Sequence, residues 1–231
     1  MRLHRFFLTS NISKGKINSF SSPSLTHQLS HVFRLHAGDT VVFFDGTGTD
    51  YTCEIVSLEK ADVMFRVVET STVKPLSETK LALAVSLIKK DNFEWIIQKG
   101  TELGVSEFIP LISERSEKKG FNMERANKIM TEALEQSGRS DMAVVREPIA
   151  LADFLESEKR PITTLHLSGE SFKNELAIAG EIVLCIGPEG GWSDKEIGMF
   201  KEKGASVIKL NSPVLRAETA AVAAATLFLV R

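Results

Sequence analysis

The stretch from Ile182 to Arg216 constrains this chain most. It opens with an apolar run, Ile182-Val183-Leu184-Cys185-Ile186, which breaks at Gly187-Pro188-Glu189-Gly190-Gly191-Trp192. A short helical segment follows, then a second apolar run, Val207 to Leu210, and a second loop, Asn211-Ser212-Pro213-Val214-Leu215-Arg216. The pattern predicts strand, loop, helix, strand, loop. Both loops are expected to leave the carboxyl ends of neighbouring parallel strands, the ligand-binding rim of an open α/β sheet. Gly187 ends the strand without a Cβ, Gly190-Gly191 permits positive φ or close approach to a ligand, and Pro188 stiffens the entry. Ser193 followed three residues later by Glu196 predicts a capping box, and Gly204 a helix stop. A plain strand-to-helix turn uses the same residue types. Three glycines, a proline and a carboxylate within five residues favour a ligand loop. The dinucleotide fingerprint Gly-x-Gly-x-x-Gly is absent here, and no Gly-Lys-Ser/Thr marks a P-loop.

At 231 residues the chain holds one or two domains. Its 43% hydrophobic and 25% charged residues allow a packed core and exclude a disordered chain. With a net charge of -2, any affinity for nucleic acid must come from a local patch. Cys53 and Cys185 lie far apart, each in a predicted strand, which suits buried thiols and neither a zinc site nor a redox pair. No metal-ligand cluster is visible, so no metal is expected. Met1 to Phe7 is too short and too charged for a signal peptide, and Ala217 to Val230 is too short to span a bilayer. A soluble cytoplasmic protein is expected, without a membrane partner.

The first acidic residue is Asp39. Before it stand Arg2, Arg5, Lys14, Lys16 and Arg34 with four of the five histidines, a footprint for a polyanion such as RNA. Phe6, Phe7 and Phe33 interleave with these charges, as core residues or as stacking platforms. Thr40–Phe44 and Tyr51–Ser57 flank Asp45-Gly46-Thr47-Gly48 as a β-hairpin, and Val63–Glu69 is a further strand. Short strands with little helix predict a small β-barrel-like module over residues 1–72. Ser71 to Glu78 reads as a linker. Residues 73–231 then alternate strands and helices: strand Leu81–Leu87, a helix capped by Asp91 and stopped by Gly104, and strand Glu107–Ile112 despite Pro110. Helix Met123–Ser137, helix Leu151–Leu155, strand Thr163–Leu167 and a loop Ser168–Ser171 follow. This is an α/β domain with a parallel sheet. The final helix, from Ala217, is apolar on nearly all sides, which predicts burial and a homodimer interface.

Met1-Arg2-Leu3-His4-Arg5-Phe6-Phe7, His31-Val32-Phe33-Arg34, Gly38-Asp39 and Phe44-Asp45-Gly46 resemble the N-terminal signature of the ribosomal RNA small-subunit methyltransferase E family. Lys99 to Val105, Glu114-Arg115-Ser116, Glu135 to Arg139, Gly187 to Gly191 and Leu215 to Ala220 continue the resemblance in order across nearly the whole chain. It implies an α/β fold with an N-terminal PUA-like β-barrel and a C-terminal SPOUT-type trefoil-knotted parallel sheet that works as a dimer. It also implies methylation of N3 of one uridine in 16S ribosomal RNA with S-adenosylmethionine, on naked RNA or in a small-subunit particle.

By the same resemblance, Leu167, Ser168, Gly187, Glu189, Gly190, Gly191, Leu210, Asn211 and Leu215 hold the cofactor. Arg216 and Arg139 are the candidate catalytic cations, stabilising a uridine anion as the N3 proton leaves. Glu218 is a candidate base. Arg2, Arg5, Arg34 and Arg115 are expected to grip RNA. Helix capping would equally account for Arg139, and a salt bridge to Glu218 for Arg216. Leu210-Asn211-Ser212-Pro213 departs from the family pattern of Leu-Gly followed by Pro-Arg, and Asn211 is expected to replace the glycine in left-handed backbone. Two rivals are a non-catalytic RNA-binding protein with a dimerising α/β domain, and an enzyme on another nucleotide cofactor such as NAD.

Overall fold

The computed structural model describes residues 3–74, 77–117, 120–172 and 180–230. By its contacts the chain forms two units, Met1–Pro75 with Leu134–Met142, and Leu76–Ala133 with Ala143–Arg231.

In the first unit, β1 (Arg5–Phe7), β2 (Ile17–Ser21), β3 (Thr40–Phe44), β4 (Thr49–Leu58) and β5 (Asp62–Thr72) form a sheet in the order β1-β3-β4-β5-β2. The predicted hairpin is β3–β4, paired from Thr40↔Glu54 to Phe44↔Asp50, with Gly46 and Gly48 both at positive φ in the turn. Period-two alternation sends Val41, Phe43, Cys53, Ile55, Val63 and Phe65 to one buried face. Phe6 is core, and Phe33 packs edge-on against it at 5.3 Å. More helix is present than the residues suggested: α1 (Pro23–His27) runs into one π-helical turn, Gln28–Val32, capping the core with Leu25 and Leu29. Among the described residues the ladders run as an open path, with none joining β1 to β2.

The second unit is a parallel sheet ordered β12-β10-β11-β6-β7-β8, with β9 also on β7. Its strands are β6 (Thr79–Ser86), β7 (Glu107–Ile112), β8 (Val144–Val145), β9 (Ile149–Ala150), β10 (Ile162–Ser171), β11 (Gly180–Ile186) and β12 (Ser206–Lys209). Its helices are α2 (Lys90–Leu103), most of α3 (Met123–Ser137), α4 (Leu151–Ser157), α5 (Asp194–Glu202) and α6 (Ala217–Leu229). Val183 lies beside Ala82 and Cys185 beside Ala84, and these four pack against Phe154 and Leu155 of α4 and Phe200 of α5. The alternate residues Leu81, Leu83 and Leu184 are equally buried, and α6 packs on β6, β11 and α2. Helices on both faces explain the continuous apolar strands. Pro110 is tolerated inside β7 because the outer neighbours leave a gap there. β8 pairs with Glu107 and Phe108, and β9 with Leu111 and Ile112.

Four local expectations need correction. The strands ahead of the two loops are not neighbours: β10 lies between β11 and β12, paired to both. Ser168–Ser171 is not a loop but the end of β10, carried past a bulge. The N-cap of α2 is Lys89, with Asp91 inside the first turn, where a carboxylate still complements the helix dipole. Asn211 is not left-handed, because Arg34 is the one non-glycine at positive φ among the described residues. The predicted linker, Ser71 to Glu78, falls partly outside the described residues, and its start belongs to β5. Cys53 and Cys185 are free and fully buried in β4 and β11. Burial pushes the Cys53 thiol up to about 12 and raises that of Cys185 as well, so neither is a thiolate at neutral pH. Among the described residues no helix is long and apolar enough to cross a membrane.

Candidate functional site

At the carboxyl edge of the second unit's sheet, the segments after β10, β11 and β12 surround a cavity of about 560 Å³. A cavity of that size suits a nucleotide-sized ligand. Leu165 to Leu167, Ile186 to Trp192 and Lys209 to Ala217 supply most of its wall.

The loop after β11 is held from behind. Gly191 N–H donates to the Pro188 carbonyl at 2.8 Å, closing a tight turn, and Gly191 takes φ 69°. A Cβ on Gly187 would stand 3.2 Å from the Trp192 ring, and one on Gly190 would stand 3.2 Å from Cδ of Arg115. The predicted capping box is present: Glu196 N–H donates to Ser193 Oγ at 3.3 Å, and Ser193 N–H to Glu196 Oε2 at 2.8 Å. The same buried carboxylate reaches further. Its Oε1 accepts the Glu114 N–H at 2.8 Å, tying the segment after β7 to the loop after β11. Arg115 Nη1 then donates to the Gly190 carbonyl at 2.7 Å. Arg115 is thereby fixed on the cavity wall.

Leu167, Gly187, Glu189, Gly190, Gly191, Leu210 and Leu215 all line this cavity, as do Arg115 and Arg216. Ser168 and Asn211 are next to lining residues without lining it themselves. Glu189 precedes α5, whose first-turn acids are Asp194 and Glu196, so helix-dipole stabilisation does not account for it. Arg216 is the exposed N-cap of α6. Among the described residues no salt bridge joins it to Glu218. Glu218 Oε2 is buried without a hydrogen-bond partner among the described residues.

The other candidates lie in the first unit. Arg139 is 4% exposed, with Nη2 2.6 Å from Asp141 Oδ2 and Nε 3.1 Å from Oδ1. Arg5 is held by Asp50, by Ser140 Oγ at 2.6 Å and by the Arg139 carbonyl. Arg34 is exposed in left-handed backbone, a costly conformation that leaves its side chain to solvent. Arg2 lies outside the described residues. Among the described residues no cluster of three or more metal-ligating side chains occurs.

Sequence reasoning missed His166, Lys209 and Trp192 in the cavity wall. A signal existed for the first: His166 is the one histidine outside the acid-free N-terminal segment, at a strand end.

The sequence pattern of an RNA methyltransferase domain matches residues 75–229, and that of an RNA methyltransferase PUA domain matches residues 29–66. The ribosomal RNA small subunit methyltransferase E of Rickettsia conorii is 30% identical over 97% of this chain and 94% of its own. That of Synechocystis is 33% identical over 84% of this chain and 67% of its own. A protein from Legionella pneumophila solved with the bound cofactor SAM superposes with a TM-score of 0.91 at 29% identity, covering 99% of this chain and 97% of the other. The Neisseria gonorrhoeae methyltransferase E bound to S-adenosyl methionine gives 0.88 at 28% identity, covering 97% and 96%. On these matches, spanning both units, the chain belongs to the ribosomal RNA small subunit methyltransferase E family.

Proposed function

We propose that this protein methylates N3 of a specific uridine in 16S ribosomal RNA, with S-adenosylmethionine as donor, in the cytoplasm. The observation that carries the proposal is the cavity in which Gly187 to Gly191, Leu210 to Arg216 and Leu167 converge. Its size, its glycines that admit close backbone approach and its apolar walls suit an adenosine, and Glu189 suits ribose hydroxyls or a sulfonium charge. When bound, S-adenosylmethionine supplies an electrophilic methyl group. The protein's own part is orientation, which can supply much of the rate of a displacement. Ser168 and Asn211 contribute backbone beside the wall.

Arg216, an exposed residue of the cavity wall, stabilises the uridine anion left when the N3 proton departs. Glu218, two residues on, is the candidate to take that proton. Arg115 and Arg34 hold RNA phosphates, as does Arg2 in the same acid-free N-terminal segment as Arg34. Burial and the pair with Asp141 favour an anchoring role for Arg139 over a catalytic one, and Arg5 is similarly committed to Asp50. The domain reading is a PUA-like β-barrel over residues 1–72 and a trefoil-knotted SPOUT domain over 73–231; the placement of β10 between β11 and β12 favours it. A homodimer completes the proposal. Leu227 and Val230 at the end of α6 and Trp95 on α2 remain 40%, 55% and 40% exposed, and would be covered in it.

Calorimetric titration tests the cofactor assignment. S-adenosylmethionine is expected to bind and NAD is not. A folded protein that binds neither would support a non-catalytic RNA-binding protein instead.

A further inference from the structure

The edge strand pairing contains an irregularity at the cavity. Along β12, Ile208 is the register partner of both Leu165 and Glu170 of β10. The four residues between them, His166-Leu167-Ser168-Gly169, are therefore looped out of the ladder. His166 and Leu167 line the cavity, and Leu167 is 69% exposed. Bulges beside functional sites re-aim side chains.

Two features hold this bulge in shape. At its far end, a Cβ on Gly169 would fall 2.6–2.7 Å from the Ile208 backbone, so only glycine lets the chain re-enter the ladder there. At its near end, Ser168 N–H donates to His166 Nδ1 at 3.2 Å, and Ser168 Oγ stands 2.7 Å from the same nitrogen. An amide can only donate, so Nδ1 is the acceptor. The hydroxyl must then be the donor at the shorter distance, and the neutral ring carries its proton on Nε2. Both donors of Ser168 thus converge on one histidine nitrogen, and the turn they close sets the direction of Leu167.

We propose that His166 is a positioning residue for the cofactor pocket, acting through Nδ1, which staples the 166–169 bulge so that Leu167 forms a fixed wall of the adenosine site. The proposal rests on the assignment of S-adenosylmethionine to this cavity. In this role Nδ1 is used and Nε2 is not, which separates it from a direct ligand contact. Asparagine places an acceptor oxygen close to the position of Nδ1, whereas glutamine reaches the position of Nε2.

The test compares wild type with H166A, H166N, H166Q and S168A by S-adenosylmethionine calorimetry, melting temperature, and KM for cofactor against KM for RNA. His166→Ala should weaken cofactor binding roughly 10-fold, the worth of one to two hydrogen bonds. His166→Asn should stay within about 3-fold of wild type and His166→Gln should resemble the alanine variant, while Ser168→Ala, which keeps the amide donor, should lose only about 3-fold. The KM for cofactor should rise and the KM for RNA should not. Rescue by glutamine rather than asparagine, equal KM changes for both substrates, or an alanine variant that binds normally would each overturn the staple. A fall in affinity matched by global unfolding in H166A leaves S168A and H166N to decide, since Ser168 is exposed and asparagine keeps the acceptor. Wild-type protein that does not bind S-adenosylmethionine would defeat the cofactor assignment itself, and the staple with it.

Discussion

Replacing Glu196 by alanine removes a buried carboxylate that joins the segment after β7 to the loop after β11. Its carboxylate accepts the Ser193 and Glu114 amides, each at 2.8 Å, and the residue is 5% exposed. Alanine leaves both amides without their acceptor, the Ser193 amide in a buried site and the Glu114 amide in a partly buried one. At about 1–3 kcal/mol for each orphaned buried donor, the variant should lose roughly 3 kcal/mol. For a unit of this size that corresponds to a fall in melting temperature of about 6–12 °C. Glutamine keeps one acceptor but turns an NH2 toward the other amide, so Glu196→Gln should lose about half as much. Affinity for S-adenosylmethionine should fall in the same order, because the loop after β11 then keeps only the Arg115–Gly190 hydrogen bond of its two ties to the segment after β7. Scanning calorimetry with and without cofactor measures both effects. An alanine variant within about 0.5 kcal/mol of wild type, the range of an ordinary surface substitution, would refute the reasoning.

Arg216→Ala should keep cofactor binding and lower turnover by about 100-fold or more, as for loss of a preorganised charge-stabilising group; single-turnover kinetics with saturating RNA would show it, and unchanged turnover would remove Arg216 from catalysis. Arg34→Ala should leave the melting temperature alone and reduce the slope of log affinity for RNA against log salt by about 1. Arg5→Ala should instead destabilise the first unit by about 2–3 kcal/mol, since Asp50 loses its partner in a mostly buried pair. The Arg160 guanidinium, 2.7 Å from Glu158, holds that carboxyl down at about 2. A lowered carboxylate contributes stability that is complete above about pH 4.5 and is lost as pH falls toward 2. Wild type should therefore exceed Glu158→Gln by about 1–2 kcal/mol near neutrality, after discounting for solvent screening, and the gap should close by pH 2. Urea midpoints across that range would show it, and a gap independent of pH would contradict it.

Several elements are legible from local chemistry alone. Ser193 and Glu196 announced the start of α5, Met123 to Ser137 was bounded by Gly138 at φ 89°, and Asp45 to Gly48 marked the hairpin turn. Each of these depends on residues within a few positions of one another. Strand order does not, and the insertion of β10 between β11 and β12 had no local signal. The bulge was hidden because Ser168-Gly169-Glu170-Ser171 has the composition of a turn, although pairing with β12 resumes at Glu170. The fate of the N-terminal arginines was hidden as well. Arg5 meets Asp50 and Ser140, and residues so distant in sequence leave no pattern that separates a structural ion pair from a phosphate ligand. In the cavity, the glycine-rich loop and Leu215-Arg216 could be named from sequence; His166 carried only its isolation from the other histidines as a signal, and Lys209 carried none, because its place on the wall follows from the order of the strands.

The decisive measurement is methyl transfer to RNA. Small-subunit particles and bare 16S ribosomal RNA from a strain lacking this protein would be incubated with it and methyl-labelled S-adenosylmethionine, then digested to nucleosides. Label is expected in 3-methyluridine, at most one equivalent per RNA, and at about a hundredth of the rate or less with Arg216→Ala. Label in another nucleoside would contradict the assigned atom, and no label on either substrate, from protein that binds the cofactor, would contradict the assigned reaction.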